Sequence, residues 1–173
     1  SGGDATILPM SSDAEADRAF TWPRILPGNE FLLVTTSDGP DRVGAGNVQI
    51  YGLEDSSLRV LVRNASNATY INSGHIVFLR DSDLWAVPFD LETMTIVGSQ
   101  VPVINGVETN SQYGHATYTV SDNGQLFYLA GTDGGGSIDS GMLTWADFDG
   151  ERAEIEVDAG SFSNINFSPD ETR

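Results

Sequence analysis

Hydrophobic residues recur along the chain in runs of four, and each run follows a polar turn that contains glycine. The runs are Phe31–Val34, Ile76–Leu79 and Leu126–Leu129, and the turn glycines are Gly28, Gly74 and Gly124. These glycines are 46 and 50 residues apart. A period in that range is typical of stacked supersecondary units such as the blades of a β-propeller, which are about 40–50 residues each. The spacing therefore predicts a repeat protein built from similar sheets.

The unbroken apolar runs indicate strands that are covered on both faces. A strand with one face in water alternates between apolar and polar residues, whereas a continuous apolar run needs packing on each side. Neighbouring blades of a propeller supply that packing, while a two-sheet sandwich leaves one face of each strand exposed. The run pattern favours the propeller.

A unit of four antiparallel strands is predicted three times along the chain. Trp85-Ala86 and Trp145-Ala146 occupy the same place in the third strand of two units, which supports a true repeat. The fold class is therefore all-β, a partial β-propeller of about three four-stranded antiparallel blades plus an extra strand at each end. The predicted strands are Phe20–Leu26, Glu30–Thr36, Asn47–Leu53 and Ser57–Arg63; then Ala68–Ile71, Ile76–Arg80, Leu84–Phe89 and Val101–Val107; then Thr117–Val120, Leu126–Ala130, Met142–Phe148 and Glu154–Val157; and finally Phe162–Phe167.

These strands divide the single predicted domain into five parts. Residues 1–16 hold the last strand of a preceding blade and a connector, and residues 161–173 hold the first strand of a further blade. The three full blades are residues 17–64, 65–110 and 111–160. Three blades are too few for closure, because a propeller typically has about 4–8. The chain is expected to be a piece of a longer propeller, or to close the ring as a homodimer that buries open strand edges.

The chain is strongly acidic. Asp and Glu number 25 against eight basic residues, all of them Arg, for a formal charge of −17 over 173 residues. Such a charge repels phosphate backbones and anionic lipid surfaces, so nucleic-acid and membrane-surface roles are not expected. The acids fit either a surface for a cationic partner or a solvated surface of a salt-adapted protein, with the even spread along the chain favouring the second. Cysteine is absent, so the redox compartment stays open.

Two segments resemble a known repeat family. The turn in Phe167-Ser168-Pro169-Asp170-Glu171 is similar to the Ser-Pro-Asp-Gly turn of the TolB-like, WD-like β-propellers of bacteria, with Glu171 replacing the glycine. Leu84–Leu91 and Gly98–Val103 look like the propeller domains attached to bacterial serine/threonine kinases and those of TolB-type proteins. The resemblance implies a periplasmic or otherwise extracytoplasmic location. It implies little about activity, since propellers carry many unrelated functions.

The motifs that could carry chemistry all have simpler explanations. Asp147–Glu151 contains the Asp-x-Asp-Gly of a calcium loop but lacks its later ligands, so a hairpin turn is predicted. Ser121–Gly124 is likewise predicted to be a turn. His75 and His115 lack the partners of a catalytic triad or a metal site and are predicted to be surface or hydrogen-bonding residues. Trp22, Trp85 and Trp145 are predicted to pack between blades. No catalytic, cofactor-binding or metal-binding residue is predicted.

A recognition surface is nevertheless predicted from topology. In a four-stranded blade the loops between strands two and three share a face with the connections between blades, and loops on a rigid scaffold often carry function. This face, the rim, is expected to bind a cationic or polar partner. Its candidate residues are Asp38, Asp41, Arg42, Asn110, His115, Asp133 and Asp139.

The favoured function is a non-catalytic module that binds or senses a protein or a small polar ligand through this rim, without a cofactor. Two alternatives remain. The chain could be the propeller portion of a hydrolase or lyase whose catalytic residues lie elsewhere, or it could be a scaffold for oligomerisation.

Overall fold

The computed structural model describes residues 8, 18–38, 46–110, 114–121, 124–131, 142–147, 151–156 and 165–168. The regular structure in these ranges consists of β-strands, which confirms the all-β prediction. No helix in the described ranges is long and apolar enough to cross a bilayer.

The first sheet has four strands in sequential order. β1 (Arg18–Ile25), β2 (Phe31–Asp38), β3 (Asn47–Gly52) and β4 (Leu58–Arg63) pair antiparallel, each with the next along the chain. This up-and-down order is the one predicted for residues 17–64, and the strand bounds agree within about two residues, as is usual for strand ends.

The second sheet has a longer third strand that pairs with two partners. β5 (Ser66–Ile71), β6 (His75–Arg80) and β7 (Asp83–Asp90) follow in order. One end of β7 pairs with β8 (Thr95–Ile96) and the other end with β9 (Val101–Ile104). β8 was not predicted, because a two-residue strand carries no periodicity.

The third sheet is built from β12 (Tyr118–Val120), β13 (Leu126–Ala130), β14 (Met142–Ala146) and β15 (Arg152–Glu154), again in sequential order. A short ribbon of β10 (Thr109–Asn110) and β11 (His115–Ala116) lies between the second and third sheets in sequence.

Three strand predictions need correction. The predicted strand Val101–Val107 ends at Ile104, because Gly106 turns the chain with φ of +71°, and Val107 instead forms a single bridge to Ala130. The last strand of the third sheet starts earlier than predicted, at Arg152. The described part of the predicted final strand, residues 165–167, is not in a strand. The strand predicted within residues 1–16 lies outside the described residues except for residue 8.

The apolar run of β6 is buried on both faces, as the pattern predicts. Exposed fractions are 0% for Ile76, 6% for Val77, 0% for Phe78 and 3% for Leu79. Ile76 and Phe78 belong to a core shared with the first sheet, while Val77 and Leu79 belong to a core shared with the third sheet. The middle sheet is therefore packed between its two neighbours, as a propeller blade is.

The run of β13 in the third sheet divides in the same way. Leu126 and Tyr128 pack into the core shared with the second sheet. The ring of Phe127 meets the edge of Phe167 with ring centroids 5.1 Å apart. Residues 165–168 therefore contact the far face of the third sheet.

The turns that precede the three runs each contain a glycine with a positive φ and a backbone hydrogen bond between residues three positions apart. Gly28, Gly74 and Gly124 have φ of +94°, +79° and +85°, a conformation that glycine adopts without steric cost. Within each turn a backbone N–H bonds to the carbonyl three residues earlier, from Asn29 to Leu26, from Gly74 to Ile71 and from Gly124 to Ser121. The second and third turns have the glycine itself as the donor, whereas in the first turn Gly28 precedes the donor Asn29.

We expect Ile76→Ala and Leu79→Ala each to lower the free energy of unfolding by about 2–5 kcal/mol, since each leaves a cavity in a different core. Urea unfolding followed by circular dichroism measures this. The control is Val97→Ala, at a side chain that is 61% exposed, which we expect to change stability by less than about 0.5 kcal/mol. A large loss for one of the two core variants and none for the other would mean that only one face of β6 is covered.

Candidate functional site

The first strands of the three sheets line a common cleft. In a propeller the first strand of each blade lies nearest the axis, and here β1, β5 and β12 all contribute to a cavity of about 210 Å³, which we call the axial cleft. β11 and residues 165–166 complete its wall. The lining residues are Trp22, Arg24, Asn67, Thr69, His115, Ala116, Thr117, Tyr118, Thr119, Val120, Ile165 and Asn166.

Asn67 joins the three sheets at the base of this cleft. Its backbone N–H donates to Thr35 Oγ1 of the first sheet at 3.0 Å, and its side-chain Nδ2 donates to the carbonyl of Ala116 at 2.9 Å. The hydroxyl of Tyr118, in the third sheet, donates to the Asn67 carbonyl. Asn67 is buried and has φ of +47°, which asparagine tolerates better than most residues.

Trp22 forms one wall of the cleft through an irregularity in β1. The pairing register with β2 shifts between Thr21 and Arg24, and Trp22 has φ of +54°. A positive φ is rare for a bulky residue, and such strain concentrates at functional sites. The Trp22 ring stacks on the His115 ring with centroids 4.7 Å apart and planes inclined by 22°.

Burial sets the protonation of the two titratable groups deepest in the cleft. Desolvation lowers the pKa of His115 below its ordinary value of 6.5, so the imidazole is neutral at pH 7. Desolvation also raises the pKa of the Tyr118 hydroxyl far above its usual range, against the opposing effect of the Arg24 charge. The Tyr118 phenol therefore keeps its proton and remains a hydrogen-bond donor.

A second cavity lies between the second and third sheets, and several residues of their shared core line it. It measures about 470 Å³, and its walls are mainly aliphatic side chains such as Val77, Ala86, Val101 and Leu126. Its polar lining residues are Ser73, His75, Asp147 and Arg152, and the rest of its wall is mainly apolar. The axial cleft, with hydroxyl, amide, indole, imidazole and guanidinium groups, is the better candidate site.

The structure brings together two of the predicted rim residues. Asn110 and His115 are paired across the β10–β11 ribbon, and His115 also reaches the axial cleft. Asp38 ends β2. Asp41, Arg42, Asp133 and Asp139 lie outside the described residues, and so does the side chain of Asp38, so the rim stays a prediction.

Sequence reasoning missed Trp22, Arg24, Asn67 and Tyr118. The prediction that tryptophans pack between blades holds for Trp85, which packs against the core between the first and second sheets, whereas Trp22 lines the cleft. Their place in the sequence could have indicated them, because residues in the first strand of a blade lie near the propeller axis.

The predicted turn role of Asp147 is confirmed. Its Oδ1 accepts a hydrogen bond from the backbone N–H of Glu151 at 2.9 Å, across the β14–β15 turn. Residues 148–150, the middle of the calcium-like motif, lie outside the described ranges. Within those ranges no group of three or more His, Asp or Glu side chains is placed to hold a metal ion.

We expect Asn67→Ala to lower the free energy of unfolding by about 1–3 kcal/mol, because it leaves the buried Ala116 carbonyl without its donor. Chemical unfolding of the purified protein measures the change. The matched control is Asn72→Ala, at an exposed turn position, for which we expect a change within about 0.5 kcal/mol. Equal effects of the two substitutions would contradict the bridging role of Asn67.

We expect His115 to make the fold less stable in acid. Because its folded pKa lies below 6.5, the unfolded chain binds more protons than the folded chain in the window between the two pKa values. Stability is therefore full above pH 6.5 and is lost as pH falls through the folded pKa. NMR titration of the imidazole protons should give a pKa below 6.5, and His115→Gln should flatten the pH dependence of the melting temperature in this window. A His115 pKa at or above 6.5 would show that the ring is solvated.

No family model and no curated protein matches this sequence. Among solved structures, a luciferin-regenerating enzyme superposes with a TM-score of 0.59 at 11% identity, covering 88% of this chain and 50% of that one. Regucalcin, a calcium-binding protein from Agrobacterium tumefaciens str. C58, superposes with a TM-score of 0.57 at 17% identity, covering 86% and 48%.

These similarities establish the fold. Both neighbours are β-propellers, and the chain spans about half the length of each. The more specific resemblance to TolB-like repeats is not confirmed by them. One neighbour is named as an enzyme and the other as a calcium-binding protein, so they do not confirm the predicted non-catalytic role either. The chain is a partial β-propeller of antiparallel four-stranded blades.

Proposed function

We propose that this chain is the ligand-binding part of a larger β-propeller and that a small polar molecule binds in the axial cleft. The observation that carries the proposal is the convergence of three first strands on one cavity whose wall is largely polar. Pockets that bind drug-sized ligands enclose about 300–1,000 Å³. A cavity of about 210 Å³ suits a smaller molecule.

The cleft has the properties of a preformed site. Asn67 holds the first, second and third sheets in fixed relation through hydrogen bonds from both its backbone and its side chain. The Trp22–His115 stack fixes two rings in the wall. A rigid wall lowers the ordering cost of binding, so a small ligand can be held by few contacts.

The predicted rim remains part of the proposal. His115 lies in the cleft and pairs with Asn110 of the rim, so a ligand in the cleft and a partner on the rim would share one residue. In this reading the rim receives a protein or polar partner, as the loop topology suggests. A bacterial, extracytoplasmic TolB-like protein remains the proposed setting, and a homodimer remains a proposed means of closing the ring.

An enzymatic role is the second candidate. One structural neighbour is named as an enzyme, and a neutral imidazole such as that of His115 can accept a proton at pH 7. In that case the axial cleft would hold the substrate, and residues outside the described ranges would supply the remaining chemistry. The first step, binding of a small polar molecule in the cleft, is the same.

The test uses four probes with one four-carbon skeleton: threitol, tartramide, tartrate and 1,4-diamino-2,3-butanediol. We expect at least one to shift the NMR signals of the Trp22 indole and the Asn67 side-chain amide in a saturable titration. Thr69→Val removes a hydroxyl from the cleft wall, and we expect it to weaken binding by about 2- to 10-fold, the effect of one hydrogen bond.

Thr95→Val, on β8 and away from the cleft, is the matched control and should leave binding unchanged. If none of the four probes shifts the cleft signals, or if they shift only signals of the outer strands, the proposed function is wrong.

A further inference from the structure

We infer that the axial cleft selects a small anion, most simply a carboxylate, and that Arg24 is its anchor. This inference rests on the proposed function and adds the charge of the ligand. It is unexpected in this protein, because a chain with a net charge of −17 should repel anions.

The cleft differs in charge from the chain as a whole. Asp and Glu make up 25 of the 173 residues, yet none of the described residues that line the cleft is acidic. Arg24 is the one side chain with a full charge at pH 7 among them. The described wall of the cleft is therefore cationic within an acidic protein.

No acidic residue in the part of the chain that the structure describes neutralises Arg24. Within the described part of the chain no carboxylate forms an ion pair with Arg24. Arg24 and Tyr118 both line the cleft, and the Arg24 charge lowers the pKa of the Tyr118 hydroxyl against the larger effect of burial. That hydroxyl stays protonated and already donates to the Asn67 carbonyl, so it supplies no negative charge.

Other arginines of the chain have structural roles. Arg80 donates to the carbonyls of Asn64 and Arg63 and to Gln100 Oε1, and its guanidinium lies over the rings of Phe78 and Trp85. Arg59 donates to the Met94 carbonyl. Arg24 is exposed at the cleft and keeps its planar set of five donors, which matches a carboxylate in a two-point contact.

The other residues that line the cleft can bind the uncharged polar groups of such a ligand. Thr69, Thr117, Thr119 and Asn166, which carry hydroxyl or amide groups, are among the lining residues. Hydroxyl and amide groups bond to the hydroxyls of a ligand as donors or acceptors. The expected ligand class is therefore a small hydroxy acid or a molecule of similar size and charge.

The pH dependence of binding should follow from His115. The neutral imidazole contributes no charge at pH 7, and it becomes a second cation in the wall when pH falls through its lowered pKa. Affinity for an anion should rise over that range as long as the ligand remains ionised. A neutral ligand would gain nothing from the added charge.

The experiment compares tartrate with its uncharged diamide, tartramide, and with 1,4-diamino-2,3-butanediol, by isothermal titration calorimetry at low salt. We expect tartrate to bind at least about tenfold more tightly than tartramide, since a hydrogen bond to a charged group is worth roughly 10- to 100-fold in affinity. We expect Arg24→Gln to remove that advantage by weakening tartrate binding much more than tartramide binding. Arg24→Lys should retain part of it, because the charge stays and the two-point contact is lost.

The matched controls are Arg59→Gln and Arg63→Gln, which change the net charge of the protein equally but lie outside the cleft. We expect both variants to keep the preference for tartrate over tartramide. If they lose this preference, it is due to the net charge of the protein and not to Arg24.

The outcomes separate the two proposals. If tartramide or the diamine binds as tightly as tartrate and shifts the cleft signals, the anion inference is wrong and the cleft still binds a polar molecule. If tartrate binds equally well to Arg24→Gln, the anchor is wrong. If no probe binds at all, both proposals fail.

Discussion

The packing of the middle sheet between its two neighbours is the constraint on which the structure depends. In β6, Ile76 and Phe78 enter one core, and Val77 and Leu79 enter the other. Burial of each such side chain stabilises the fold by about 1.5–3 kcal/mol. Removing one neighbouring sheet would expose several of these side chains and would cost several kcal/mol of stability. That amount is comparable to the whole stability of a typical domain, about 5–15 kcal/mol. A single blade of this chain cannot be stable alone.

The axial cleft follows from this packing. Sheets stacked face to face around an axis bring their first strands together, and β1, β5 and β12 meet at the cleft. Polar atoms of these strands are buried where the strands meet, and buried polar atoms in proteins are nearly always hydrogen-bonded. Asn67 meets this requirement by bonding to Thr35, Ala116 and Tyr118. Asn67 thus connects to the first and third sheets through its backbone and to β11 through its side-chain amide.

The sequence predicted the parts of the fold that depend on local pattern. The turns at Gly28, Gly74 and Gly124 and the buried runs after them repeat in the sequence and in the structure. The Trp22–His115 stack could not be predicted, because it joins residues 93 positions apart and depends on the irregularity in β1. Of the predicted site residues, His115 lines the cleft, but no sequence motif marks this position. Its position depends on how neighbouring sheets pack against each other, which the length of the sequence repeat does not specify.

The local charge of the cleft matters more to a bound ligand than the net charge of the protein. Surface charges are screened over about 8 Å at physiological ionic strength, so acidic residues farther than that from the cleft act weakly on a molecule inside it. A guanidinium in direct contact is not screened in this way, and its hydrogen bonds to a carboxylate are charge-assisted. The acidic exterior therefore slows the approach of an anion without cancelling its contact with Arg24. Affinity and association rate respond to different parts of the same charge distribution.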